Sequence, residues 1–263
     1  MFAIGLSVTP GDLRQVWRTP APMLRGLFAV LIAVPALALA ITRLLDLPRA
    51  VEIGIVLMAI SPGAPVALRR SLASGADAAF APNLQMSVAL LAVVWMPLAI
   101  AALDELYAGH ASIEPAEVLR QVLVAQLLPL GLGTALRQFA APAAARIYPA
   151  VHRAGTILLL AAVLLVVKQL WEPIMAAGWP TIGAIVLLTC AALAAGHVLG
   201  GPTPQMRTAV AMISAARNAG LALLVATQNA AAPAVTATIL AYLAISVVAM
   251  TPYALWRLWR RPR

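Results

Sequence analysis

Long apolar runs constrain this chain more than any other feature of its sequence. Stretches such as residues 23–42, 77–103 and 234–256 carry almost no charged side chains, and an α-helix needs about 20 apolar residues to cross a bilayer. Because 63% of the 263 residues are hydrophobic and only 10% are charged, the composition excludes a soluble domain of this size. The sequence predicts an all-α polytopic membrane protein.

Basic residues predict how these runs are oriented. The net charge is +9, but the basic side chains are scattered between apolar runs, which fits the positive-inside rule better than nucleic-acid binding. The arginine-bearing links 11–25 and 137–153 and the C-terminus are predicted to be cytoplasmic, whereas segment 104–117, with four acids and no Arg or Lys, is predicted to lie outside. We expect an inner-membrane protein with a cytoplasmic C-terminus and no nucleic-acid partner.

Two of the apolar runs are interrupted. The crossing at 53–74 contains Ser-Pro-Gly-Ala-Pro at residues 61–65, and two prolines around a glycine cannot continue a helix because each removes a backbone donor and clashes with the preceding turn. The crossing at 206–228 contains Arg217, Asn218 and Gly220. Asn and Gly tolerate non-helical backbone, so this crossing is also predicted to break.

The charge pattern places these broken crossings in opposite directions through the membrane. Paired interrupted helices at corresponding positions are typical of an inverted-repeat transporter with its site near the midplane. We therefore predict one transmembrane transporter domain, residues 1–263, with about eight spans. A partial span is expected before Thr9 and Pro10, because eight residues are too few to cross a bilayer.

Arg217 is the first candidate for a site residue. An arginine near the bilayer centre costs about 2.5–3.5 kcal/mol on insertion scales, so its side chain should face protein or a cavity rather than lipid. Its planar fork suits a carboxylate or sulfate, although it could instead hold helix-end carbonyls. Asn83 and Gln85 could contact substrate or only satisfy backbone groups freed near the breaks. The candidate substrate-binding residues are Arg217, Asn218, Gln85, Asn83, Ser61 and Ser214.

Three further residue patterns are given structural interpretations. Gln126 is expected to form a hydrogen bond between packed helices, and Cys190 is expected to be a small core residue. Gly196 and Gly200 have the spacing of a close helix contact, which is a weak signal alone. No HExxH, GxSxG, Walker or dinucleotide-binding pattern is present, so no enzyme activity is expected.

At the two interruptions the sequence resembles the bile acid:sodium symporter superfamily. Three segments carry the resemblance: Ser61-Pro62-Gly63 with the Gly75-Ala76-Asp77 turn and Pro97, then Arg217-Asn218-Ala219-Gly220-Leu221-Ala222, and finally residues 2–12. They are similar to the family's Pro-Gly-Gly crossing with its following turn and span, to its Gln-Asn-Ser-Gly-Leu-Ala segment, and to the end of an early span. The resemblance implies nine or ten helices in panel and core domains, two broken helices that cross at the substrate and sodium sites, and an absent N-terminal part.

This chain departs from the family at the sodium-ligand positions. The resemblance places the family's ligands on Ala67, Leu68, Ala81, Gln85 and Ile213, and most of these lack a suitable side-chain oxygen, which a hard cation requires. Arg217 stands where the family has Gln, and it would repel sodium by about 4 kcal/mol at 4 Å and an effective dielectric of 20. Sodium coupling of the family type is not expected, no cofactor is expected, and proton coupling is left open.

Two functions follow from these observations. The first is a secondary transporter of a small organic anion, without the family's sodium coupling and with Arg217 as the anion anchor. The second is a non-transporting membrane receptor or scaffold that retains the fold. A polar cavity lined by Arg217, Asn218 and Gln85 would favour transport, and a tightly packed midplane would favour the scaffold. The sequence leaves the oligomeric state open.

Overall fold

The computed structural model describes residues 1–7, 11, 20–106, 115–176, 178–228 and 231–260. All regular structure in these ranges is helical. The first half of the chain contains α1 (Phe2–Gly5), α2 (Pro20–Leu44), α3 (Arg49–Ile60), α4 (Pro65–Ala73), α5 (Phe80–Leu106) and α6 (Pro115–Val122, continued by Leu123–Leu127 and Leu128–Phe139). The second half contains α7 (Ala141–Ala176), α8 (Gly178–Leu199), α9 (Pro204–Ala215), α10 (Ala219–Gln228), α11 (Pro233–Ala249) and α12 (Thr251–Trp259).

Six helical segments in the described ranges are long and apolar enough to cross a membrane. They are Pro20–Leu44, Phe80–Glu105, Ala116–Phe139, Gly178–Leu199, Pro204–Gln228 and Pro233–Trp259. The chain is therefore an all-α multi-pass membrane protein, as predicted. The count of eight spans and the inverted repeat stay predictions, and residues 8–10 of the expected N-terminal partial span lie outside the described residues.

The two interruptions occur where the sequence predicts them. Helix α3 ends at Ile60 and α4 begins at Pro65, a position at which proline is tolerated because the first N–H groups of a helix have no internal partner. Helix α9 ends at Ala215 and α10 begins at Ala219. Each crossing thus consists of two short helices joined by three or four non-helical residues.

The broken crossings run in opposite directions. The backbone N–H of Asp77, just after α4, donates to the carbonyl of Gln205 at the start of α9, with an N···O distance of 3.3 Å. The C-terminal end of α4 and the N-terminal end of α9 therefore lie at the same end of the molecule. Helix α4 runs from its break toward that end, whereas α9 runs from that end toward its break. The two crossings are antiparallel, and their breaks lie at a similar depth.

The link 137–153 is almost entirely helical and not a loop between spans, whereas its predicted position on the cytoplasmic side stays a prediction. Only Ala140 separates α6 from α7. Residues 143–145 are alanines with high helix propensity, and Pro142 is the second residue of α7, where its missing N–H costs nothing. Arg146 and Arg153 lie on the exposed surface of this long helix.

Helix α8 packs closely against α9. A Cβ placed on Gly196 would lie 2.6 Å from Ala211 Cα and 2.8 Å from Val210 O, so the two backbones touch at this glycine. One on Gly200 would collide with Arg207 Cα. The Gly196 and Gly200 spacing is therefore a true close contact, whereas Cys190 on the same helix is exposed and the expectation that it is a core residue is wrong.

Candidate functional site

The two helix breaks meet inside the molecule. The backbone N–H of Asn218, in the second break, donates to the carbonyl of Ser61, in the first, at 2.9 Å. Gly63 has a φ of +82°, a conformation that residues with a Cβ rarely adopt. This glycine lets the first break turn sharply between its two prolines, and it brings the non-helical backbone of both crossings together.

Asn218 links the second break to α6. Its Oδ1 accepts the N–H of Leu221 at 3.2 Å and thereby caps the first turn of α10. Its Nδ2 approaches Gln126 Oε1 at 3.5 Å, a long contact, while Gln126 Nε2 donates to Ala89 O on α5 at 2.9 Å. Gln126 thus makes the expected bond between packed helices, and it also reaches the site, which the sequence did not indicate.

Gln85 supports the first break from α5. Its Nε2 donates to the carbonyl of Ala64 at 3.0 Å, and its Oε1 is buried without a hydrogen-bond partner among the described residues. The Ser61 hydroxyl donates back to Leu57 O at 2.7 Å, within α3. In this conformation Gln85 and the Ser61 hydroxyl therefore satisfy backbone carbonyls next to the break.

Arg217 is buried at the second break, with only 3% of its surface exposed. Both terminal nitrogens of the guanidinium donate to one acceptor, the Val30 carbonyl of α2, each at 3.0 Å. Its Nε is buried and has no acceptor among the described residues. Among the described residues, the ion pairs join Arg49 to Glu52 and Arg120 to Glu117. No carboxylate of the described residues therefore neutralises Arg217.

The Val30 carbonyl is available to Arg217 because α2 contains a π-helical turn, Ala29–Ala33. In this turn the N–H of Val34 donates to Ala29 O rather than to Val30 O. The next donor in the same register would come from residue 35, which is a proline and has no N–H. Val30 O therefore lacks a helical donor, and the guanidinium takes the place of that donor.

Tyr242 of α11 also belongs to the surroundings of Arg217. Its side chain is fully buried near Arg217 and Thr189 of α8, and its phenol oxygen has no hydrogen-bond partner among the described residues. Tyr242 was not among the predicted site residues, although a tyrosine in the middle of a mostly apolar span was a usable signal, because a buried phenol usually needs a polar partner.

Two predicted site residues are not shown to join this cluster. Asn83 donates to Ala79 O one turn earlier in its own chain segment, at 2.7 Å, and it lies about 200° around α5 from Gln85 at 3.6 residues per turn. The Ser214 hydroxyl is buried and has no partner among the described residues. The structure thus gathers Arg217, Asn218, Gln85 and Ser61 around the meeting point of the breaks.

Apolar side chains occupy four of the five positions onto which the resemblance places the family's sodium ligands, and the fifth is Gln85, whose Oε1 is buried without a hydrogen-bond partner among the described residues. Ala67 and Ala81 are fully buried, Ile213 is 1% exposed and Leu68 is 8% exposed. These side chains lie within the hydrophobic core. No side-chain oxygen is present at these four positions.

Two antiparallel broken crossings that meet inside an all-helical membrane protein are typical of secondary transporters. The model of the Sodium Bile acid symporter family matches residues 1–177, more than half of the chain, and the chain belongs to that family. The family is made up of transporters, not enzymes.

Curated relatives are similar over about half of this chain. One is named probable sodium/metabolite cotransporter BASS3, chloroplastic, from Arabidopsis thaliana, and is 25% identical over 150 residues, which cover 57% of this chain and 34% of that protein. The P3 protein of Homo sapiens is 24% identical over 136 residues, covering 51% of this chain and 28% of that protein. The matched segments span about a third of the length of these relatives.

Proposed function

We propose that this chain is a secondary transporter of a small organic anion, built as one transmembrane domain, and that it works without the sodium coupling of its family. The observation that carries the proposal is the buried Arg217, which lies at the meeting point of the two breaks with no neutralising carboxylate in the described part of the chain. A buried charge is stable only when it is paired and hydrogen-bonded, and an anionic substrate would supply that pairing.

The donors around Arg217 support an anion as the substrate. A guanidinium has five N–H groups, and two are used on Val30 O, which leaves Nε–H and one N–H on each terminal nitrogen. The N-terminus of α10 begins two residues later at Ala219 and adds positive potential. Carboxylate and sulfonate groups are the acceptors that match this arrangement.

Lack of sodium coupling is proposed from the residues at the former ligand positions. One relative is named as a sodium/metabolite cotransporter, but in this chain Ala67, Ala81 and Ile213 offer no oxygen to a cation. A sodium site here would have to be built from backbone carbonyls and the single amide oxygen of Gln85, next to the fixed charge of Arg217, at a repulsive cost of several kcal/mol in a poorly screened interior.

We expect binding and uptake of an organic anion to be independent of sodium. The measurement is uptake of radiolabelled benzoate and other small carboxylates into proteoliposomes, with either sodium or choline chloride outside, and the expected change is less than about twofold. The control is the variant that combines Ala67→Ser, Leu68→Asn, Ile213→Glu and Arg217→Gln, which restores ligand types that suit a hard cation. Because this variant lacks the anion anchor, its response to sodium is read as a rise in thermal unfolding temperature with sodium compared with choline chloride, a rise that the unmodified protein should not show. A steep rise of uptake with sodium in the unmodified protein would show that the proposal is wrong.

The scaffold alternative is favoured by a separate observation. Arg217 and Gln85 are closed off from solvent and each is bonded to a backbone carbonyl, as expected of residues that only hold a packed midplane. Purified, folded protein that neither binds nor moves any anion of the panel would support this alternative over transport.

The protein is further proposed to lie in the inner membrane with its C-terminus in the cytoplasm. The end of α12 lies beside the start of α9, since Arg257 donates to Thr208 Oγ1 at 2.6 Å and to Pro204 O at 2.9 Å. This contact places Arg207 and Arg257 at the same end of the bundle, which the positive-inside rule assigns to the cytoplasm. We expect a C-terminal green fluorescent protein to be bright and a C-terminal alkaline phosphatase inactive; the reverse pair of results would contradict the assignment.

A further inference from the structure

The geometry points to the π-helical turn of α2 as a reversible anchor for Arg217, with Pro35 as the positioning residue that creates it. In this inference the Val30 carbonyl and an anionic substrate compete for the same guanidinium, so that substrate binding releases α2 from the second break. The release step rests on the proposed function, whereas the anchor itself does not.

The anchor depends on two coincident features of α2. The π-helical register diverts the Val34 N–H to Ala29 O, and Pro35 removes the N–H that would serve Val30 O in that register. With an amide at position 35, a regular α-helix or a continued π-helix would satisfy Val30 O from within α2. Pro35 thus leaves an acceptor free for a side chain 187 residues away in sequence.

Helix α6 provides a matched turn without the guanidinium. Its π-helical segment is Leu123–Leu127, the N–H of Leu128 donates to Leu123 O, and Pro129 follows, so every step of the α2 arrangement recurs at the same spacing. Val124, which corresponds to Val30, is 62% exposed. Pro129 therefore has the same backbone effect as Pro35 at a carbonyl whose residue is exposed, and the turn meets the site only through the long contact of Gln126 with Asn218. It serves as a control for the bond between Arg217 and Val30 within the same chain.

Exchange between the two acceptors follows from their charges. The guanidinium is ionised in both bonds, but a carboxylate adds the opposite charge and accepts two parallel N–H bonds, so a carboxylate that takes the pair of N–H groups now on Val30 O displaces that carbonyl. After displacement, these bonds no longer hold α2 to the break. Substrate binding would in this way be coupled to a movement between α2 and the second crossing.

The test combines a stability measurement without ligand and a binding measurement. Unfolding of the purified full chain in detergent is followed for Pro35→Ala, Arg217→Gln and the double variant, and in parallel for Pro129→Ala with Arg217→Gln. For Pro35→Ala with Arg217→Gln, we expect the effect of the double variant on the unfolding equilibrium constant to differ from the product of the two single effects by at least about threefold, because both residues belong to one hydrogen-bonded network. For Pro129→Ala with Arg217→Gln, we expect the two effects on the free energy of unfolding to add. Additive effects in the first pair would overturn the anchor.

Binding of benzoate is then compared in the two single proline variants by isothermal titration. We expect Pro35→Ala to bind benzoate about five- to tenfold more tightly than the unmodified protein, because Val30 O no longer competes for the guanidinium. Pro129→Ala should change the affinity by less than about twofold, because its turn meets the site only through the long contact of Gln126 with Asn218. Equal or weaker binding by Pro35→Ala would overturn the release step and leave the anchor as a fixed structural contact. If no small carboxylate or sulfonate binds any variant, the proposed function fails and the release step fails with it, while the stability cycle still decides the anchor.

Discussion

Arg217→Gln is expected to weaken the binding of a small carboxylate such as benzoate at least about 30-fold, and to abolish its uptake into proteoliposomes. Removing one partner of a buried, hydrogen-bonded charge pair costs about 2–5 kcal/mol, and about 2 kcal/mol corresponds to a factor of about 30. Glutamine retains one N–H pair for Val30 O but neither the charge nor the fork. The affinity is measured by isothermal titration with the purified protein.

Arg217→Lys is the matched control for this experiment. Lysine keeps the positive charge but offers a point charge instead of a planar fork, so we expect an intermediate loss of about tenfold. Thermal unfolding of both variants separates a loss of binding from a loss of folding. If a folded Arg217→Gln variant binds benzoate as tightly as the unmodified protein, Arg217 does not bind the anion.

Among substitutions that add one methyl group to α8, Gly196→Ala is expected to give the largest loss of stability. The new Cβ would meet backbone atoms of α9, with Ala211 Cα at 2.6 Å and Ala211 N at 2.8 Å, and backbone cannot move aside as a flexible side chain can. Overpacking of this kind costs about 1–3 kcal/mol, occasionally more. Because α9 leads directly into the second break, we also expect weaker anion binding.

Gly183→Ala provides the comparison within the same helix. A Cβ on Gly183 would meet nothing within 4 Å, and Ala is favoured over Gly in a helix interior by about 0.5–1 kcal/mol. The unfolding midpoint of Gly183→Ala should therefore equal or exceed that of the parent, while that of Gly196→Ala should fall well below it. Equal midpoints for the two variants would mean that α8 and α9 can separate at little cost.

The sequence was sufficient to locate both breaks because their causes are local. Pro62 and Pro65 on either side of Gly63 interrupt the helix, and Pro65 can begin the next helix at its first position. Asn218 supplies the cap that α10 needs. The identity of the family followed from the same two segments. The candidate residues Arg217, Asn218, Gln85 and Ser61 converge for the same reason, since all of them lie in or beside the breaks.

The partners of those residues could not be predicted, because they depend on how distant helices meet. The bond from Arg217 to Val30 joins groups 187 residues apart, and it requires a π-helical turn that no residue pattern announces without the structure. The helix across residues 141–153 was missed for a different reason: its arginines were taken to mark a loop, although they lie on the surface of a helix that alanine-rich sequence favours. Asn83 carries the right atoms, but its helical phase turns it away from Gln85, and the buried Ser214 hydroxyl makes no hydrogen bond to the cluster.

The hydrogen bond between Asn218 N and Ser61 O joins the breaks through neutral backbone groups alone. A bond of this kind contributes about 0.5–1.5 kcal/mol net, which is a factor of only about 2 to 13 in an equilibrium between two arrangements. Thermal fluctuations at room temperature can therefore exchange it for a bond to water or ligand without a large energetic penalty. Because the bond between the breaks is this weak, the two crossings can occupy more than one position relative to each other. A small difference in ligand affinity between two such positions would be enough to shift their populations.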